Sequence, residues 1–412
     1  MPDLDNRLAR SRSALLDEIE QPPMAAVRRR ASRIRRRRAT TAGAAALAVL
    51  GVIAIGARPW QQDAGPTTVT ATDPPAIAPV YRGGGIEIIG LSPTKVHEID
   101  GDIADVEFTD PAHGIAMAGC DRDCPPPAST EDGGLSWHTV PMSPSGGDGP
   151  TDVTAFPGGH WLLRGGGSQW SSFSGVGWEA STPPAPTAQE NIGPGQLPGI
   201  ERAGGDLVVR SWDQGTLGPL VEQPDLAVRW VAPAPAGDGS WWVGGLSGTT
   251  PAVAVSHDAG RDWTTTVLDP PVGEVADVRI GTLGSEVYAL ATGQVGELLG
   301  VYHSADGGRT FTATYLSAGG GPGPDDKVPG GGVAGDPVPL LDGRLLVVER
   351  DGRQSSWWVS TDAGRTFSPV PGLPAAGSIR RTYAGYVVYG LFQSSWAAFS
   401  TDGSNWQKLQ LF

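Results

Sequence analysis

The chain has 412 residues, a net charge of −14, 60 Gly and 37 Pro. That length admits two or three ordinary domains or one large β architecture, and 14 Trp among many short Val/Ile/Leu runs exclude a chain disordered throughout. Two Cys and six His leave little room for a thiol or metal centre, so no metal and no cofactor are expected. The charge is sharply divided: residues 1–38 hold eleven Arg against five Asp and Glu, a surplus of six, which leaves the other 374 residues at −20.

In chain order, the first predicted element is a short helix over Leu4–Glu20, where Leu4, Leu8, Leu15, Leu16 and Ile19 fall near helical spacing. It either meets a cytosolic partner, lies on a membrane leaflet or is simply solvated. Gln21–Pro23 ends it. The run Arg28–Arg38 then abuts the uncharged stretch Ala39–Ala57. Nineteen helical residues rise about 28 Å, close to the roughly 30 Å of a bilayer core. Eight Arg before the stretch against Arg58 alone just after it place the N-terminus in the cytoplasm and the remainder outside. A signal anchor is therefore expected over 39–57, in a single-pass cell-membrane protein whose sidedness suits a bacterial envelope. The competing reading is a signal peptide cleaved after Ile55–Ala57, giving a secreted chain. The position of the Arg run against the membrane argues against a nucleic-acid partner. Residues 58–80 have the Thr/Pro/Ala composition of an extended stalk. The expected organisation is thus a basic cytosolic segment (1–38), a transmembrane helix (39–57), a stalk (58–80) and one outer domain (81–412).

Within that outer domain the sequence is periodic. The pattern S-x-D-x-G-x-T-W/F stands intact at Ser304–Phe311 and Ser360–Phe367. Ser256–Trp263 has Asp262 in the Thr position, Thr130–Trp137 opens on Thr130 and carries Ser136, and a shortened copy spans Ser400–Trp406. Each follows two short strand patterns separated by a turn. Such pairs occur at 103–119, 153–167, 200–212, 229–246, 275–293, 337–352 and 379–392. Unit two keeps a worn turn, Ser172–Trp178, and unit three has lost it. Strand–turn–strand followed by strand–motif–strand is a four-stranded antiparallel sheet, one blade of a propeller.

The repeats resemble the Asp-box (BNR) repeats of sialidase-type, sortilin-type and photosystem II assembly-factor-like propellers, over roughly residues 100–412. The resemblance implies an all-β, seven-bladed β-propeller of four-stranded antiparallel blades, here preceded by one transmembrane α-helix. It places each motif in the turn between a blade's third and fourth strands. The residues in that role are Thr130, Asp132, Gly134 and Trp137; Ser256, Asp258, Gly260 and Trp263; Ser304, Asp306, Gly308 and Phe311; Ser360, Asp362, Gly364 and Phe367; and Ser400, Asp402 and Trp406. The chemistry agrees: the Gly takes positive φ, the Asp accepts turn N–H groups, the Ser adds local bonds and the aromatic packs between blades. A calcium loop needs several oxygen ligands on one ion, whereas each copy supplies one Asp on its own blade. The motifs therefore read as structural, with no catalytic residue among them.

Sialidase activity would imply an arginine triad, a Tyr/Glu nucleophile pair, an Asp acid/base and an Arg-Ile/Leu-Pro element near the first blade. The chain has no such tripeptide, and Arg261, Arg309 and Arg365 belong to motif turns. Arg380, Arg381 and Tyr383 cluster near an inner strand and keep the idea open. Arg and carboxylate side chains converging in a central funnel would favour an enzyme.

Cys120 and Cys124 fall in the 2–3 loop of blade one, where a short-range disulfide is the favoured reading outside the membrane. The long loop Ser317–Pro337, with Asp325 and Asp326, reads as a flexible insert or a functional loop. Trp241/Trp242 and Trp357/Trp358 alternate across strands and read as core, whereas Trp170 is the candidate for stacking on a carbohydrate. The expected function is a monomeric, non-catalytic binding or assembly scaffold for a protein or glycan, held at the face bearing the 2–3 and 4–1 loops. The alternatives are a sialidase-like hydrolase and a transmembrane sensor signalling through residues 1–38. The acidic outer domain favours a basic partner or a cation.

Overall fold

Short apolar runs punctuated by glycine turns build seven sheets arranged as the blades of a propeller. The computed structural model describes residues 80–90, 103–119, 125–141 and 150–410, apart from 166, 203, 320–326, 353 and 392–395. All of them fall in one compact unit, Pro75–Phe412. The expected cytosolic segment, transmembrane helix, most of the stalk, the Cys120–Cys124 pair and Asp325 and Asp326 lie outside the described residues.

A hairpin, β1 (Tyr81–Gly83) and β2 (Ile86–Ile89), comes first. Blade one is β3 (Ile103–Phe108), β4 (Gly114–Ala118), β5 (Ala128–Thr130) and β6 (His138–Thr139). Blade two is β7 (Asp152–Phe156), β8 (His160–Gly165), β9 (Ser168–Ser172) and β10 (Glu179–Ser181). Blade three has only β11 (Gln196–Ile200), β12 (Leu207–Ser211) and β13 (Gly215–Pro219). Blade four comprises β14 (Ala227–Val231), β15 (Trp241–Ser247), β16 (Thr250–Ser256) and β17 (Thr264–Val267). Blade five comprises β18 (Asp277–Leu283), β19 (Glu286–Thr292), β20 (Leu298–Ser304) and β21 (Thr312–Leu316). In blade six a split inner strand, β22 (Gly332–Val333) and β23 (Val338–Pro339), pairs with β24 (Leu345–Asp351), followed by β25 (Gln354–Ser360) and β26 (Ser368–Val370). Blade seven is β27 (Ala376–Arg381), β28 (Tyr386–Gly390), β29 (Ala397–Ser400) and β30 (Asn405–Lys408).

The seven strand pairs expected from the sequence supply the first two strands of the seven blades. Middle strands are covered on both faces and read as nearly unbroken apolar runs; β19 buries six of its seven residues. Outer strands such as β17, with three Thr and Val267, stay half-exposed. Blade three departs from the four-stranded expectation. Its β13 edge is met instead by the incoming segment near Thr187–Gln189, which runs parallel to it through Thr187 N–H to Leu217 O (2.7 Å) and Val221 N–H to Gln189 O (2.8 Å). Gly218 permits that approach, since a Cβ there would stand 2.0 Å from Thr187 O.

The hairpin extends the outer edge of blade seven. Strand β2 pairs in parallel with β30, Ile88 opposite Trp406, so the first described segment is bonded to the last strand. Ile86 and Ile88 are buried among Trp357, Val370 and Trp406. Blades pack face to face in the same way elsewhere. Trp241 joins the cluster with Leu207 and Val209 of blade three, and Trp242 the cluster with Val278 and Ile280 of blade five. Trp170, the candidate for stacking on a carbohydrate, does not serve in that role: it lies in β9 and is buried beside Trp161 and Trp178.

Candidate ligand site

The repeated turns connect β5–β6, β16–β17, β20–β21, β25–β26 and β29–β30, in each case a third strand to a fourth. In Ser304–Phe311 the Ser304 hydroxyl donates to Asp306 Oδ1 (2.7 Å) and accepts the Gly308 N–H (2.8 Å). Asp306 also accepts the Thr310 N–H (3.0 Å) and hydroxyl (2.7 Å). Those Thr310 bonds, then that from Ser304, hold the Asp306 carboxyl down to about 2. The same bonds recur with Ser360, Asp362 and Thr366, and with Thr130, Asp132 and Ser136. In the other two copies Asp258 accepts the Asp262 N–H, and Asp402 the N–H and side-chain amide of Asn405.

Each turn's glycine meets the preceding blade. A Cβ on Gly308 would lie 2.1 Å from the Trp242 ring, on Gly364 2.4 Å from Val301, on Gly403 2.4 Å from Val338, and on Gly134 2.4 Å from Leu409. The aromatic that follows is buried at Trp137, Phe367 and Trp406 and half-buried at Trp263 and Phe311. Arg261, Arg309 and Arg365 each reach back to the backbone carbonyl of their own turn's Asp. None of them lines the central cavity.

That cavity, of about 380 Å³, is lined by the inner strands of all the blades, and the functional candidates meet there. Its wall carries Arg210, Arg229, Arg279, Arg380 and Arg381 against Asp105, Glu107, Asp152 and Asp336. So a chain that is acidic overall gathers five arginines against four carboxylates at its centre.

On the blade-one side, Arg380 Nη1 donates to Asp105 Oδ1 at 2.7 Å, and Asp105 in turn holds the guanidinium above its usual range. The buried Tyr389 hydroxyl accepts the Val106 N–H (3.0 Å) beside them. Burial, then the Asp105 carboxylate two residues away, pushes the Glu107 carboxyl well above the ordinary range. Asp336, from blade six, is 7% exposed and binds across blades. Its Oδ1 accepts Trp230 Nε1–H (3.0 Å) and Arg279 Nη1–H (3.4 Å), and its Oδ2 accepts the Arg381 N–H (2.7 Å). Arg279 also donates through Nε to Asp277 (2.8 Å), and Arg164 pairs with Asp152.

Sequence reasoning located Arg380 and Arg381 near an inner strand, and both line the cavity. It missed Asp336, which it left inside the Ser317–Pro337 loop. The described part of that loop instead forms β22 and the inner edge of blade six, with Gly335 bridging to Ile379 of β27. One local signal was present. Gly335 sits at φ 95° with a would-be Cβ 1.8 Å from Ile379 O, an approach only glycine allows before the Asp336-Pro337 step. Arg210 and Arg229 were also missed, since neither belongs to a motif.

No family model matches the chain, and no curated protein matches it. Among solved structures it is similar to YCF48 bound to a D1 peptide, at 16% identity over 82% of this chain and 88% of that one, with a TM-score of 0.36. It is similar to YCF48 from Cyanidioschyzon merolae at 14% identity over 73% and 92%, with a TM-score of 0.43. An ancestral GH74 enzyme is similar at 13% identity over 73% of this chain and 37% of its own length, with a TM-score of 0.35.

Proposed function

We propose that the chain is a non-catalytic binding or assembly scaffold for a protein or glycan ligand. In this reading residues 39–57 anchor it in a cell membrane with the propeller outside. The repeated turns act as structural stitches of the Asp-box type, and the ligand meets the face bearing the 2–3 and 4–1 loops. One observation carries the non-catalytic reading. The three cavity aspartates are each engaged by an arginine side chain: Asp105 by Arg380, Asp152 by Arg164 and Asp336 by Arg279. Carboxylates fixed in ion pairs brace the ring and are poorly placed to exchange protons with a substrate.

A second reading, a glycoside hydrolase, rests on the convergence of Arg and carboxylate side chains and on Glu107. Its carboxyl is raised beside Asp105, and such a pair supplies an acid where chemistry needs one. Crosslinking pull-down with the purified chain, run beside a fluorogenic sialoside assay, tests the two. Saturable capture with no turnover supports the scaffold; turnover lost in Glu107→Gln replaces it with the hydrolase.

A further inference from the structure

The fourth strand of a blade ends its sheet, and an open edge is a template for another chain. Six of the seven blades blunt that edge. In blade one β6 has two residues and stops short of Pro141. In blade two β10 opens on Glu179, and Pro183 and Pro184 follow it. The segment near Thr187–Gln189 covers β13 of blade three, and β2 covers β30 of blade seven, both in parallel. The hairpin's own outer strand, β1, carries Arg82. In blade five Thr314 is the extra residue of a β-bulge, since Val301 faces Tyr315 and Tyr302 faces Ala313. In blade six β26 holds Pro369.

Strand β17 of blade four has none of these devices. Thr264, Thr265, Thr266 and Val267 pair with β16 in unbroken register. They bring no charge and no Pro, and among the described residues nothing pairs with their outer side. The Leu268 N–H bonds inward to Pro251 O (2.9 Å). Antiparallel bonding alternates along a strand, so Thr266 and Thr264 also bond inward, and the N–H and C=O of Thr265 and Val267 point out from the edge. Val267 is 55% exposed. Exposed Asp262 and Asp269 flank the strand, while Arg261 turns back onto the Asp258 carbonyl.

Three observations choose the occupant. This fold already takes single extended segments at two other blade edges, β2 against β30 over three residue pairs and the stretch near Thr187–Gln189 against β13. Four residues are too small a surface for two folded copies, whose stable interfaces bury about 1,200–2,000 Å². An extended segment can bind through main-chain bonds with little area. The acids at both ends of β17 complement cations at the ends of an incoming strand.

We propose that the β17 edge receives an extended strand of a partner protein, uncharged and β-branched where it pairs and carrying Lys or Arg at its ends. This rim surface is separate from the loop face of the proposed function and does not depend on it. Ligand-observed NMR on the purified full chain tests it with three probes. They are acetyl-Lys-Thr-Val-Thr-Val-Lys-amide, the same peptide with Glu in place of both Lys, and the Lys peptide N-methylated at its four central residues. The Lys peptide is expected to bind about tenfold or more tighter than its N-methylated form, which keeps every side chain and loses the main-chain donors. The Glu peptide binds about threefold or more weakly. Thr265→Pro removes an outward N–H, costs no bond to β16 and weakens the Lys peptide about tenfold. Val267→Lys, a charge on the exposed edge, weakens it as well, whereas Thr312→Pro on the bulged β21 leaves it unchanged. Melting curves verify that each variant is folded.

No binding by the Lys peptide, equal binding by its N-methylated form, or unchanged affinity in folded Thr265→Pro and Val267→Lys overturns the proposal. Equal weakening by Thr312→Pro overturns it too, because the peptide would then not be reading β17. Sedimentation analysis covers the other occupant: self-association of the parent that Val267→Lys abolishes gives the edge to a second copy and rejects the partner strand.

Discussion

Replacing Asp336 by alanine withdraws one carboxylate from donors on three other blades. Trp230 Nε1–H, Arg279 Nη1–H and the Arg381 N–H lose their acceptor together, in a place where Asp336 itself is 7% exposed. Breaking a buried, hydrogen-bonded ion pair from one side destabilises by about 3–5 kcal/mol, because the remaining charge and donors stay desolvated. At about 2.1 cal/mol/K per residue, a domain of this size has a melting entropy of about 0.7 kcal/mol/K, so about 4 kcal/mol lowers Tm by about 6 °C. Asp336→Asn keeps the shape and one acceptor and should fall by roughly half as much. Asp342→Ala removes an exposed partner of Arg344 and should change stability by less than about 1 kcal/mol. Differential scanning calorimetry of the three variants is the assay. A shift for Asp336→Ala no larger than that for Asp342→Ala would refute the idea that this carboxylate braces the ring.

Other consequences follow from the same geometry. Ile88→Ala opens a hole in the N-terminal hairpin where Ile88 packs near Trp406, and should cost about 3 kcal/mol in urea unfolding. Gly308 and Gly343 share φ 85°, but a methyl at 343 meets nothing within 4 Å while one at 308 strikes Trp242. Gly343→Ala should therefore cost about 1 kcal/mol for the left-handed backbone alone and Gly308→Ala about 3 kcal/mol, the difference measuring the blade contact. Glu107 has a raised carboxyl in the folded state, so its contribution is fully present below the unfolded pKa and is lost as pH rises through the folded one. Denaturant midpoints should show Glu107→Gln less stable than, or equal to, the parent at pH 4 and relatively more stable at pH 8; an unchanged difference between the two pH values would contradict the buried-acid assignment.

The extent to which the molecule was legible from sequence divides by range. The turns could be read because their bonds are local: Ser304, Asp306, Gly308 and Thr310 lie within seven residues, and hydroxyl, carboxylate and glycine chemistry is sufficient to specify them. Strand pairs could be read because a blade covered on both faces leaves unbroken apolar runs. The cavity could not. It collects side chains from strands far apart in the chain, and Arg229 enters it through a bulge whose register depends on β15. Asp336 was hidden for a related reason. The glycine-rich segment around it looks like a loop, and only the neighbouring β27 backbone turns it into an inner strand. Blade three falls short of four strands because two good strand patterns do not by themselves make a complete sheet, and the segment near Thr187–Gln189 covers the β13 edge in parallel.

Under the proposed function the ring binds its ligand and does not turn it over. The direct measurement is an NMR time course of the purified chain with a 4-methylumbelliferyl sialoside, followed for both release of the fluorophore and integrity of the sugar. With the parent and with Glu107→Gln alike, the substrate should be lost no faster than in buffer alone. Hydrolysis by the parent that disappears in Glu107→Gln would contradict it.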